Sequence, residues 1–312
     1  MLELFTTPDL YNAAIRLTCP LALVALGGII SEKAGVLNMS LEGYMLTGAF
    51  CAYFGSLYTG SPWIGLICAA IGGGIVALLH AFITITVKAN QIVTALGVNM
   101  LALGFTSTQF RLAFGIDQVQ QQCVGLAQLN LGALSQIPVL GPIVFEQNII
   151  FYALIVLVPA LSYFLKKTSW GLAINAAGEH PRALDVAGVN VTRVRYYSVI
   201  VCGMLSGIGG AALILGGLNL FYDNITAGRG FIAFAAIIFG RWAPVATALT
   251  TLLFGFFDAL QLRLQAMSTS ELPYQIFLAL PYIVTLLALW LVGSAKGPSA
   301  SGKPYARELT NQ

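Results

Sequence analysis

Apolar runs of bilayer length recur along this chain, and a sequence built that way has few folds open to it. A helix that crosses a membrane needs about 20 mostly apolar residues. Runs of that kind lie near 17–30, 41–57, 63–87, 91–114, 148–165, 196–218, 228–242, 243–262 and 273–292. Composition points the same way: 58% of the 312 residues are apolar and only 9% are Asp, Glu, Lys or Arg, against about 25% in soluble proteins. So few charges cannot cover a water-soluble globule of this size. The expected fold is all-α: a polytopic bundle of about nine passes in the lipid bilayer, forming a single membrane domain over 1–312.

Several classes fall away on the same grounds. The net charge is only +3, and the basic residues sit in loops rather than in a stripe, so nucleic-acid binding has no electrostatic footprint. Cys19, Cys51, Cys68 and Cys202 lie in apolar runs and Cys123 has no obvious partner, so no disulfide framework follows. The segment Met1 to Arg16 carries Glu3 and Asp9 and lacks a basic stretch before a small-residue cleavage site, so it reads as retained rather than as a removable leader. No metal site is expected: His80 has no second His or carboxylate placed beside it, and a structural role outweighs a ligand role.

Basic residues orient the passes. The loop 166–195 holds Lys166, Lys167, Arg182, Arg193 and Arg195 and is placed in the cytoplasm. Lys88, Arg241 and the tail 296–312, with Lys296, Lys303 and Arg307, fall on the same side if passes alternate. The segment from Gly115 to Gln147 has Asp117 and Glu146 but no Lys or Arg, and is placed outside. Counting back puts the N-terminus outside and the C-terminus inside.

The first and seventh runs are short, and each borders a polar, glycine-bearing stretch: Gly35 to Gly43, and Asn224 to Gly230. Broken or re-entrant helices look like this, and paired interruptions are a sign of internal repeats around a central site. The likeness between the two halves is weak, and two unrelated irregular loops remain the alternative. Ionisable groups at membrane depth usually face a cavity, a partner or a pathway. For Glu42 and Asp258 a structural hydrogen-bonded role and a pathway role stay equally open. Asn99, Gln109 and Arg111 lie in the fourth pass, with Arg111 near an end where it can snorkel. Such groups are sparse, which disfavours a proton relay without excluding one. Gly203 and Gly207, with Gly72 to Gly74, indicate close helix packing. Tyr222, Phe231 and Trp242 near the second break could stack on a ring, although anchoring at the interface is the commoner role of such aromatics. The stretch Gly297 to Pro304 mimics a phosphate loop, but Pro304 stands where a Ser or Thr hydroxyl would hold magnesium, so it reads as a solvated tail. This chain therefore carries no ATP site. Within 170–188, Glu179 before Pro181 and Gly188 beyond it outline one short helix, too short to persist unless packed.

Three segments carry a resemblance: Glu32 to Gly43 (EKAGVLNMSLEG), Gly178 to Gly188 (GEHPRALDVAG) and Gly302 to Glu308 (GKPYARE). The chain resembles the permease subunits of bacterial ABC importers of the branched-chain amino acid and simple-sugar family, and within it the nucleoside branch that works with a basic-membrane-lipoprotein type of binding protein. The resemblance implies a multi-pass protein of the bacterial inner membrane that moves solute by alternating access and is not itself an enzyme. It also implies three partners besides the bilayer: a second homologous permease, an ATP-binding cassette protein, and an extracytoplasmic substrate-binding lipoprotein or periplasmic protein. ATP and magnesium would be held by partner subunits, with no cofactor in this chain. Coupling to the ATPase is carried over onto Glu179, His180, Pro181, Arg182 and Ala183. The broken segments around Asn38 to Glu42 and Gly228 to Phe231 would line the path, and the candidate path residues are Asn38, Ser40, Glu42, Asn99, Asn224, Phe231 and Asp258. An ion-gradient-driven secondary transporter is the alternative reading; a scaffold without transport ranks last. Purines, ribose-like sugars, riboflavin and branched-chain amino acids all remain open as cargo.

Overall fold

The computed structural model describes residues 8–115, 121–130, 141–267 and 297–305. Ten α-helices follow in order: α1 Pro8–Lys33, α2 Leu41–Thr59, α3 Pro62–Ala81, α4 Gln91–Phe114, α5 Ile149–Lys167, α6 Ser169–Glu179, α7 Pro181–Val186, α8 Val191–Leu213, α9 Arg229–Phe239 and α10 Pro244–Met267. Wider π-helical turns, Phe82–Thr86 and Ile214–Leu218, extend α3 and α8. Two three-residue strands, β1 Gln128–Asn130 and β2 Glu146–Asn148, pair antiparallel with Leu129 opposite Gln147.

Eight of the nine apolar runs form helices, and the ninth, 273–292, lies outside the described residues. The count of about nine full crossings is not reproduced: six helices among the described residues are long and apolar enough to span. Of the two runs expected to be short, one is not. The first is not short, because α1 covers 26 residues. Its polar end, Ser31 and Glu32, stays helical because it is buried at 0% and 1% exposure against protein rather than lipid. The seventh is the truly short one. α9 has 11 residues, about 16 Å at 1.5 Å per residue, half a bilayer.

Local chemistry sets several helix ends. The Asn90 side chain accepts from the Ile92 and Val93 N–H groups at the start of α4, and Asn190 accepts from Arg193 N at the start of α8. Gly60, at φ +67°, closes α2 in the left-handed region that a Cβ disfavours.

The helices α1 and α8 form the centre. In their most apolar stretches 78% and 67% of residues are buried, against 22–39% in the other spans. Glycines make this possible. A Cβ on Gly203 would strike Gly73, one on Gly207 the Ala69 carbonyl of α3, and one on Gly210 the Met45 carbonyl of α2. In lipid, close backbone approach replaces hydrophobic burial as the force between helices. The outer helices keep apolar faces open, as at Ile67, Ile71 and Ile75 of α3.

The two ends of the bundle differ in character. At one, Asn12 of α1 meets Gln147, and Arg111 of α4 pairs with Asp223 at 2.9 Å. Arg111 is therefore ion-paired rather than simply snorkelling. At the other end α6, α7, the start of α8 and the tail 297–305 gather. This corrects two expectations. The loop holds two helices, not one, because Thr168 caps α6 at Gly171 N and Gly171 packs on the Phe164 carbonyl of α5. The tail is docked rather than solvated: Ala300 N donates to Gly178 O at 2.8 Å, Ser299 Oγ to Glu179 O at 2.6 Å, and Tyr305 Oη to Asp185 Oδ2 at 3.0 Å. The unpaired Gly178 and Glu179 carbonyls at the end of α6 supply the first two acceptors.

Candidate functional site: two broken crossings joined at Glu42

The connection 34–40 turns back into the bundle. Its Leu37 N donates to Gln91 Oε1, at the first residue of α4. Asn99, eight residues further along α4, donates to Met39 O at 2.9 Å and accepts from Gly43 N at 2.8 Å. Eight helical residues span about 12 Å, so α2 begins well inside the bundle rather than at its edge. In between, Asn38 is wholly buried: its amide donates to Ser31 Oγ and accepts from Ser40 N, and its backbone N–H reaches Glu32 Oε1. Every backbone group freed by the break needs such a partner, because no water competes there.

The second break mirrors the first from the opposite end. Residue 219 starts beside the segment 121–130, where Cys123 N donates to Asn219 O at 2.9 Å. Phe221 then sinks to 0% exposure against Phe50, Tyr53 and Phe110, with ring centroids 5.1–6.0 Å apart. Turns over 223–228 lead into α9, and Trp242, three residues beyond its end, donates Nε1 to Glu32 Oε2 at 2.6 Å in the last turn of α1.

Glu42 joins the two. Oε1 accepts from Thr226 Oγ1 at 2.5 Å and from Gly228 N at 2.9 Å; Oε2 accepts from Gly230 N at 2.6 Å. The carboxylate therefore caps the N-terminus of α9 from another helix while sitting in the first turn of its own. Both positive helix ends converge on one negative charge that is only 8% exposed. Gly230 allows this approach, since a Cβ there would run into the Glu42 backbone. Thus α2 and α9 start at one point and run to opposite ends.

The sequence-derived candidates divide accordingly. Asn38, Ser40, Glu42 and Asn99 form one connected cluster. Asp258 is linked to it through Arg229, which it pairs with at 3.6 Å, both side chains about four-fifths buried. Asn224 is set apart: it is exposed, at φ +57°, with its carbonyl closing a turn to Ala227 N. Phe231 is 40% exposed on the first turn of α9, and Tyr222 is 43% exposed. Trp242 is a brace on α1 rather than a free stacking face. His80 is structural, wholly buried with Nδ1 2.5 Å from Tyr44 Oη. Thr226, Arg229, Gln91 and Glu32 were not singled out from the sequence. Only Arg229 left a sign there, as a lone cation opening an apolar run that has Asp258 in the next one.

At the tail end Glu179, His180, Pro181, Arg182 and Ala183 line an open groove of about 610 Å³ together with Ala300, Lys303 and Pro304. Arg195, counted above among the basic residues of the loop, also borders the groove but is buried at 2% exposure. It is held by main-chain carbonyls from two helix ends, which carry partial negative charge.

Replacing Trp242 by Phe removes the donor to Glu32 and leaves a buried carboxylate short of a partner. The expected loss is about 1–3 kcal/mol, read as a lower unfolding midpoint of the detergent-solubilised protein. An unchanged midpoint would show that the brace contributes nothing.

Comparison with known proteins follows the same lines. The guanosine ABC transporter permease protein NupQ of Bacillus subtilis is 36% identical over 304 residues, 95% of each chain. The nucleoside ABC transporter permease protein NupC of Lactococcus lactis is 35% identical over 300 residues, 92% of this chain and 93% of its own. TsgC13 of Haloferax volcanii, named provisionally as a glucose ABC transporter permease, is 36% identical over 263 residues, 83% of this chain and 78% of its own. No solved structure matches the chain. The family profile described as "Branched-chain amino acid transport system / permease component" matches residues 11–289, and the chain belongs to that family of transport permeases.

Proposed function

We propose that this chain is the permease subunit of an ATP-binding-cassette importer that carries nucleosides, or a similar solute with a hydroxylated ring, into the cytoplasm. The observation that carries the reading is the meeting of two interrupted crossings at Glu42, inside a chain whose relatives NupQ and NupC align over more than nine-tenths of its length. Two helices that share a start point and diverge are each preceded by turns and irregular backbone, at residues 34–40 and 219–228. Such segments rearrange more easily than unbroken helices, which is what alternating access requires. Within this single domain Glu42, Asn38, Ser40 and Asn99 would hold the shape of the path, while Phe231, Asn224 and the Arg229–Asp258 pair offer groups toward solute.

In this reading the groove-bearing end, with loop 166–195 and the tail, faces the cytoplasm of a bacterial cell and the N-terminus lies outside. An ATP-binding cassette protein docks on Glu179 to Ala183 and holds ATP and magnesium. A second homologous permease completes the path, and an extracytoplasmic binding lipoprotein or periplasmic protein delivers solute. The test is a mild-detergent pull-down of the tagged chain with mass spectrometry. Recovery of an ATP-binding cassette protein and a second permease is the expected result. Arg182→Glu should reduce the recovered ATPase at least fivefold; a variant that assembles and imports like the wild type would remove the docking role from this loop.

A further inference from the structure

The buried Arg195 ties together three segments that the proposed transport cycle would have to move in concert. Its Nε donates to Ala34 O at 3.1 Å, its Nη1 to Lys303 O at 3.0 Å and its Nη2 to Ala177 O at 3.4 Å. Ala34 is the first residue of the break that leads to Glu42. Ala177 lies in the last turn of α6, immediately before the Glu179–Ala183 segment. Lys303 belongs to the docked tail, and Arg195 itself is in the first turns of α8, one of the two central helices.

The packing around it is close. A Cβ on Gly35 (φ +84°) would lie 2.8 Å from Arg195 Nη2, and one on Gly178 would strike the Lys33 carbonyl. Lys33 Nζ adds a bond to Asn175 Oδ1 of α6 at 3.2 Å. A guanidinium has five donors in a rigid fork, so it can hold three carbonyls in fixed relative positions; an ammonium on a flexible stem cannot. For tethering alone, one neutral hydrogen bond per segment would serve without a buried charge.

We propose that Arg195 is a positioning residue for energy coupling: it transmits movement of the α6–α7 surface to the broken crossing at residues 34–40, and through that to Glu42. The proposal rests on the reading of Glu179 to Ala183 as the ATPase-docking segment. A push on α7 displaces the end of α6, and the fork passes the displacement to Ala34 and to the base of α8 as one unit. The tail carbonyl keeps the fork from rotating away.

The experiment uses the full complex reconstituted in liposomes, with the wild type, Arg195→Lys and Arg195→Gln side by side. ATPase subunits recovered, basal ATP hydrolysis, its stimulation by loaded binding protein, and solute imported per ATP are measured on each. Both variants should retain ATPase subunits and basal hydrolysis within twofold. Stimulation should be lost and import per ATP should fall tenfold or more, with Lys no better than threefold above Gln. Import per ATP within twofold of the wild type in either variant would overturn the proposal while leaving the docking reading intact. Failure of the wild-type chain itself to recover an ATPase overturns both. If neither variant accumulates in the membrane, Gly35→Ala crowds Arg195 Nη2 with a Cβ 2.8 Å away while leaving Arg195 and every groove residue in place. The same uncoupling is then expected, and normal import per ATP in that variant overturns the proposal.

Discussion

Glu42→Ala should cost about 3–5 kcal/mol of stability, because it removes a buried charge and leaves its partners without an acceptor. The orphaned groups are the Thr226 hydroxyl and the Gly228 and Gly230 N–H groups, all within 2.9 Å of the carboxylate in the intact protein. Glu42→Gln keeps the volume but turns one oxygen into a donor that faces a backbone N–H, so it should recover less than half of the loss. The measurement pairs the unfolding midpoint in detergent with uptake in cells. A cap role predicts that both fall together, with uptake reduced more than tenfold for Ala. Loss of uptake with an unchanged midpoint would make Glu42 a solute ligand instead, and thereby decide between the two roles that its sequence position leaves open.

Gly210→Val should prevent the chain from accumulating in the membrane. Its Cβ would strike the Met45 carbonyl and lie 2.6 Å from Ala49 N, both backbone atoms of α2 that cannot rotate aside. Overpacking against mobile side chains typically costs about 1–3 kcal/mol; against backbone, the helices themselves must separate, and α8 would lose contact with α2 along its length. Gly207→Val meets the Ala69 carbonyl of α3 in the same way. The controls are Gly97→Ala and Gly104→Ala on α4, where nothing lies within 4 Å of a new Cβ. Helix propensity favours Ala there by about 1 kcal/mol, so both should accumulate normally. Membrane-fraction immunoblots distinguish the two sets, and normal levels of the Gly210 variant would mean that α2 and α8 are not packed through glycine.

Much of the fold was legible because it depends on local composition. Apolar runs became helices wherever the structure describes them, and the polar stretch 34–40 became a break. The lengths were misjudged for a physical reason. A hydropathy reading treats Ser31, Glu32 and Lys33 as too polar for lipid, and it has no means of knowing that protein covers them. The tail was misread for the same reason: Ser299 and Ala300 look solvated until the carbonyls of Gly178 and Glu179 are placed opposite them. Arg195 carries no sign in sequence that separates it from Arg193 two residues earlier, since only a helix face decides which of them is buried.

The sequence alone therefore determined that the chain is helical and membrane-embedded and where its crossings are interrupted. These follow from transfer free energies summed over each segment and need no knowledge of neighbours. Only the tertiary structure decided that α1 and α8 are central, that the two breaks meet, and that a carboxylate at the head of α2 caps α9 across 188 residues of chain. Those outcomes rest on which backbone groups are left without partners and on which glycines let another helix come close enough to supply one. That pairing is set in three dimensions, where residues far apart in sequence compete for the same few unsatisfied donors.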